Sequence, residues 1–262
     1  MLFYLQERKG IAMSPITCAA FSIDWAHKLA GLPKISDHPM VDSMIKGCQR
    51  ILSQPKNRKE PITVEMLEAL VSKMKDKSNV SELRTLAMCL VGFAGFLRYS
   101  ELCSIRCCDV KWFPSYISIF LESSKTDQLR EGAWISIART DRPTCPVKAL
   151  EEYVLIAGIE SNEELPLFRA LASSSCRAKV RPQGIGYSRA REIIKEAFKD
   201  ITDVSKISLH SLRSGGATAA ANAGIPDRLF KRHGRWSSEN AKDAYVKDNL
   251  SSMLSVSRSL GI

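Results

Sequence analysis

The sequence predicts an α+β protein, mainly α with one small antiparallel β-sheet. Three observations carry this. Apolar residues recur at helical spacing along most of the chain, and two short β-branched and aromatic runs stand between the helices. A proline-bounded polar stretch divides a short N-terminal part from a long remainder. The 262 residues suffice for one large domain, or for a medium domain with a small partner.

Residues 1–50 read as helical segments interrupted at Pro15, at Gly31-Leu32-Pro33 and at His38-Pro39. Ala19, Ala20, Ile23, Trp25, Ala26 and Leu29 supply one apolar stripe, and Val41, Met44, Ile45 and Cys48 another. Residues 1–53 are therefore expected to form a partial helical domain, with 54–61 as a linker. That linker contains Lys56 and Arg58. Beside a site that binds DNA, such a basic run would cross phosphates, and elsewhere it would simply be solvated.

Residues 62–262 make the main domain. Thr63 caps a helix carrying Leu67, Leu70, Val71 and Met74. Residues 81–96 read as a buried helix, and a short helix follows from Ser100 with Glu101 in its first turn. Residues 115–121 and 133–138 pair as an antiparallel hairpin across the polar segment 122–128. Pro146 suits the first position of a helix over 146–157. Ser188 is read as the cap of a helix through Ile193, Ile194, Ala197 and Phe198. His210 enters a Gly/Ala-rich helix that Gly224 ends, Pro226 opens the next, and Ser237 or Ser238 caps a last short one that carries Tyr245 about two turns in.

Thirty-eight Lys and Arg against 28 Asp and Glu leave a net charge of +10, which speaks to an anionic partner, most often nucleic acid. The excess is local. Segment 177–199 holds Arg177, Lys179, Arg181, Arg189, Arg191, Lys195 and Lys199 against Glu192 and Glu196 alone, a balance that fits a basic loop and helix reaching a DNA groove, or a solvated helix face. No apolar run approaches the length of a membrane span, and no secretory signal opens the chain, so an intracellular protein is expected. The eight cysteines form no CxxC pair, and the cluster Cys103, Cys107 and Cys108 lacks partners at zinc-finger spacing. No metal is expected.

Chemistry-bearing residues gather late in the chain. His210 and Arg213 stand three apart, on one helix face, so they can converge on one ligand. Trp236 lies 23 residues after Arg213, and Tyr245 lies 9 after Trp236. Together with Phe96-Leu97-Arg98-Tyr99-Ser100-Glu101-Leu102 and the hairpin lysine Lys125, this ordered set resembles the catalytic domain of the tyrosine recombinases, the phage-integrase family, over about residues 62–250. The text around Arg232-His233-Gly234-Arg235-Trp236 is most similar to recombinases of eukaryotic DIRS-type mobile elements. Many members have His where this chain has Trp236.

The resemblance implies that Tyr245 attacks a DNA phosphodiester to give a 3′-phosphotyrosyl link, without metal or nucleotide cofactor. Arg98 and Arg213 would hold the phosphate, because guanidinium forks bind its oxygens bidentately and stay charged. Lys125 would protonate the leaving 5′ oxygen, and His210 would take the tyrosine proton. Trp236 offers only an indole N–H, and Glu101 would support the site from behind. The family's fold implies that residues 1–53 are a shortened helical core-binding domain, and that the chain acts on double-stranded DNA as a homo-oligomer, a tetramer, with the tail from about 248 exchanged between subunits. In a eukaryote the location would be the nucleus. The competing readings are a mobile-element-derived DNA-binding protein without strand transfer and a type IB topoisomerase, the latter disfavoured by the Leu97-Arg98-Tyr99-Ser100-Glu101-Leu102 box.

Overall fold

A computed structural model describes residues 12–53, 59–74, 76, 78–123, 131–172, 179–248 and 250–260. The chain divides into two compact units, Met1–Asn57 and Arg58–Ile262. In the first, helices α1 (Met13–Leu29) and α2 (Pro39–Leu52) are joined through a 3₁₀ turn, Ile35–Asp37. Pro15 does not interrupt α1. It sits in the first turn, where an amide hydrogen has no intrahelical partner to lose. The buried face of α1 is Ile16, Ala20 and Asp24, whereas Trp25 and Leu29 of the expected stripe are exposed. A carboxylate takes the inner position because the Ser36 hydroxyl (2.5 Å) and amide (3.1 Å) both donate to Asp24. On α2 the expected stripe of Val41, Met44, Ile45 and Cys48 does pack inward, around Ile16.

The second unit is built around α4 (Val80–Ala94), buried over most of its length and capped by Asn79, whose side chain accepts from the Ser81 and Glu82 amides. Before it comes α3 (Val64–Lys73), capped by Thr63, and after it the short α5 (Tyr99–Ser104). Strands β1 (Val110–Trp112), β2 (Tyr116–Leu121) and β3 (Ala133–Ala138) form an antiparallel meander. The pairs Ile117↔Ile137 and Ile119↔Ile135 face the core, in the alternation a half-buried sheet requires. β1 adds an edge to the expected hairpin. Helix α6 (Pro146–Ala157) starts at Pro146 and ends at left-handed Gly158. A second ribbon, β4 (Arg169–Leu171) with β5 (Val180–Gly184), had no sequence signal.

Helix α7 (Tyr187–Phe198) is capped at Gly186, two residues before the expected Ser188 cap. Helix α8 (His210–Asn222) packs against α4 at close range. A Cβ on Gly216 would lie 2.1 Å from the Phe93 carbonyl oxygen, and one on Gly215 would lie 2.1 Å from that of Ile62. The run of small residues is thus what admits the helix. Helices α9 (Asp227–Gly234), α10 (Glu239–Asp243, capped by Ser238) and α11 (Leu250–Arg258) complete the unit. Tyr245 lies in the turn after α10, not within it, because the helix stops at Asp243. Among the described residues no helix is long and apolar enough to cross a membrane.

Candidate active site

Arg98 is the N-cap of α5. Its backbone N–H donates to Glu101 Oε2 at 2.8 Å, and its Nη1 donates to Oε1 at 2.6 Å. A buried carboxylate thus fixes both the backbone and the side chain of one arginine. Glu101 also accepts from Arg235 Nη2 at 3.0 Å, while Arg213 Nη1 stands 3.7 Å from Oε2. Three guanidiniums therefore surround one carboxylate. Burial pushes the Glu101 pKa up, but Arg235, the Arg98 amide, Arg213 and Arg98 together pull it below the ordinary carboxylate value.

Arg213 is completely buried. Its Nη1 donates to the Phe96 carbonyl and its Nη2 to the Gly234 carbonyl at 2.7 Å, while Nε is buried with no partner. The rings of Trp236 and Tyr245 each have their centroid 4.9 Å from the guanidinium carbon. Burial, and the nearby Arg98 charge after it, lower the Arg213 pKa to about 10, so the group stays cationic at neutral pH.

The turn that delivers Arg98 is under backbone strain. Phe96 has φ of 47° and Arg235 of 55°; they are the two non-glycine residues with positive φ among those described. Side chains rarely adopt that region, and such strain gathers where a site over-determines its backbone. Here the determination is visible: the Phe96 carbonyl accepts from both Arg213 and Arg235, and its ring packs edge-on against His233 at 4.7 Å. His233 in turn donates Nε2–H to the Ala94 carbonyl at 2.8 Å. Burial lowers the pKa of this imidazole, so it is a neutral structural donor.

Around this cluster lies a cleft of about 1000 Å³, lined by Arg98, Tyr99, Ser104, Ser123, Tyr187, His210, Trp236 and Tyr245. His210 reaches it from the first residue of α8, and Arg213 lies one turn on along the same helix, beneath Trp236 and Tyr245. Trp236 is buried with its Nε1 unpartnered, and its ring leans on Tyr245 at 5.7 Å. The Tyr245 turn is tied to α8 by Thr218, whose hydroxyl donates to the Tyr245 carbonyl at 3.3 Å and accepts from the Lys247 amide at 3.1 Å. Lys242 anchors α10 through ion pairs to Asp227 and Glu239. Among the described residues no three His, Cys, Asp or Glu side chains come together as metal ligands would.

Five of the expected site residues, Arg98, His210, Arg213, Trp236 and Tyr245, are thus brought together, and Glu101 sits behind them. Lys125 lies outside the described residues, although Ser123, two residues earlier, lines the cleft. Lys56, Arg58 and Arg177 also lie outside them. Lys179, Arg181, Arg189 and Arg191 are exposed. Arg191 is one helical turn from Tyr187 at the cleft edge, whereas Arg189 points to the other side of α7, toward Arg84 and Gly186. Arg235, buried and bonded to Glu101, received no role from the sequence.

The family model described as the phage integrase family matches residues 60–251. An integrase/recombinase xerD homolog from Selenomonas ruminantium is 30% identical over 215 residues, covering 80% of this chain. The chain spans 61% of that relative's length. The recombinase cre of Escherichia phage P1 is 23% identical over 258 residues, 94% of this chain and 74% of that one. Among solved structures, a Tn1549 transposon integrase in complex with a circular intermediate DNA aligns with TM-score 0.62 at 16% identity, over 99% of this chain and 83% of that one. The XerH site-specific recombinase bound to palindromic difH substrate aligns with TM-score 0.58 at 12% identity, over 95% and 65%. Both share the fold described above, and the family model, matched over residues 60–251, shows that the chain belongs to the phage integrase family.

Proposed function

We propose that this chain is a site-specific DNA strand transferase, a tyrosine recombinase acting on double-stranded DNA through a 3′-phosphotyrosyl intermediate. The observation that carries the reading is the convergence of Tyr245, His210, Arg98 and Trp236 on one cleft with Arg213 directly beneath. The Tyr245 oxygen attacks phosphorus and the bond from phosphorus to the 5′ oxygen breaks. His210 accepts the phenolic proton, and Lys125 supplies one to the leaving 5′ oxygen. Attack of a second 5′-hydroxyl on the phosphotyrosine reverses the step. Arg98 and Arg213 stabilise the charge that grows on the non-bridging oxygens, and the Trp236 indole N–H, unpartnered in the protein, is a donor for one of them.

The exposed Lys179, Arg181, Arg189 and Arg191, with Arg177, Lys56 and Arg58, contact the DNA. Residues 1–53 supply helices of a shortened core-binding domain and residues 54–61 the linker. The active species is a homotetramer on paired sites. In support of that, Leu250, Met253 and Leu254 of α11 are exposed, and an apolar groove of about 670 Å³ lies between Trp134, Ile225 and Leu229, ready for a copy's C-terminal helix. The affinity to DIRS-type elements, and with it a nuclear location in a eukaryote, rests on the sequence Arg232-His233-Gly234-Arg235-Trp236. The test is a nicked suicide duplex without divalent metal. Wild type should form a covalent protein–DNA adduct and Tyr245→Phe none, and an adduct independent of Tyr245 overturns the assignment.

A further inference from the structure

The strand-transfer chemistry uses two arginines, yet the buried cluster contains three. Arg235 is 8% exposed in its side chain and does not line the cleft. Its Nη1 donates to the carbonyls of His233 (2.8 Å) and Gly95 (3.3 Å), and its Nη2 donates to Phe96 O (3.1 Å) and Glu101 Oε2 (3.0 Å). Its backbone is held left-handed to make this possible. A residue buried at that backbone cost, with a charge and four hydrogen bonds, is fixing something in place.

What it fixes is the partner of Glu101. Oε1 is occupied by Arg98, and Oε2 by the Arg98 amide and Arg235. Arg213 Nη1, at 3.7 Å from Oε2, lies just beyond hydrogen-bond reach. The two arginines thus compete for one oxygen, and Arg235 wins. Were Arg213 to win, its guanidinium would be drawn into a direct hydrogen bond with the carboxylate before any phosphate arrived.

We propose that Arg235 is a positioning residue: by holding Glu101 Oε2 it keeps Arg213 at ion-pair distance but out of direct hydrogen bonding to the carboxylate, so that the guanidinium stays seated beneath Trp236 and Tyr245. This rests on the strand-transfer reading above. The cluster carries three positive charges and one negative whichever arginine bonds Glu101, so Arg235 sets where the carboxylate bonds and not the net excess that faces an anionic phosphoryl centre.

The test uses Arg235→Gly in the full chain, a substitution that suits a left-handed backbone and leaves the helix end unstrained. With saturating nicked suicide duplex, single-turnover cleavage should fall about 10- to 100-fold, the usual effect of losing a group that orients a site, at unchanged duplex affinity. Arg235→Lys should fall between the two, because it keeps the charge without the fork. Glu101→Gln added to Arg235→Gly should restore most of the rate, since a neutral amide cannot pull Arg213 into a charge-assisted hydrogen bond. A purely structural role predicts further loss in the double variant. Wild-type cleavage by Arg235→Gly, or a double variant no faster than the single, overturns the proposal. A crystal structure of DNA-free Arg235→Gly is the readout that needs no activity: Glu101 should close on Arg213 to about 3 Å. An unchanged 3.7 Å separation overturns the inference, whereas a wild type that forms no adduct sinks the strand-transfer reading instead.

Discussion

Removing the carboxylate at Glu101 should be among the most costly single changes in this protein. Glu101→Ala leaves Arg98, Arg213 and Arg235 clustered without a counter-charge, two of them with side chains less than one-tenth exposed. Breaking a buried pair by deleting one partner costs about 3–5 kcal/mol, because the remaining charge stays desolvated and unpaired. Domains of this kind are stable by about 5–15 kcal/mol in total. With a urea dependence of about 2–3 kcal/mol per molar, the unfolding midpoint should fall by about 1–2 M. The deficit also has a pH signature. The Glu101 pKa is lowered on folding, so its ionised form contributes stability that is complete above the unfolded value of about 4.3 and is lost as pH falls through the folded value. The gap between wild type and variant should therefore be constant near neutrality and narrow in acid. A loss under about 1 kcal/mol at pH 7, or a gap that widens in acid, refutes the claim that this carboxylate balances the cluster. Removing Arg235 as well should be markedly non-additive, since the two side chains share one hydrogen bond.

Two further outcomes can be checked away from DNA. Gly216→Ala places a methyl 2.1 Å from the Phe93 carbonyl oxygen, so α8 must shift off α4; a loss of about 1–3 kcal/mol or more is expected by urea titration, and an unaltered midpoint would contradict the close packing. Glu239, gripped by Lys231 and Lys242, has its carboxyl pKa held at about 2, which an NMR titration should show, with Lys242→Ala moving the midpoint back up toward about 4.3. A Glu239 midpoint already at the ordinary value would mean that the anchor of α10 is not formed.

Much of this was readable from residue order, for identifiable reasons. Helical period and capping chemistry located α3, α4 and α6, and β-branched content located β2 and β3, because each signal is local. The ribbon β4–β5 escaped because Arg181, Pro182 and Gln183 carry no strand preference; its pairing rests on Phe168 and Ile185 packed in the core beside it. Trp25 and Leu29 are exposed, against the apolar pattern, because α1 turns a hydrogen-bonded carboxylate inward in their stead. At the site, the family resemblance names five residues that the fold gathers, but not Arg235. Gly234 looks like the residue that must go left-handed, and it does not: it ends α9, where a Cβ would meet the Trp236 ring at 1.9 Å, and the positive φ passes to the arginine after it. Only the tertiary contact explains why glycine and arginine stand in that order.

Thr218 gives α8 a second meaning. The helix starts at His210 and, eight residues on, grips the tyrosine turn through one hydroxyl. The two stations are about 12 Å apart along the axis at 1.5 Å per residue. The helix therefore works as a gauge, setting the interval between the imidazole and the phenol-bearing turn by its length. Deleting one residue between the stations would swing the hydroxyl about 100° around the axis and drop the turn, with every chemical group still present. Between His210 and Thr218, residue number is as strictly constrained as residue type, even where a side chain is no larger than a methyl group.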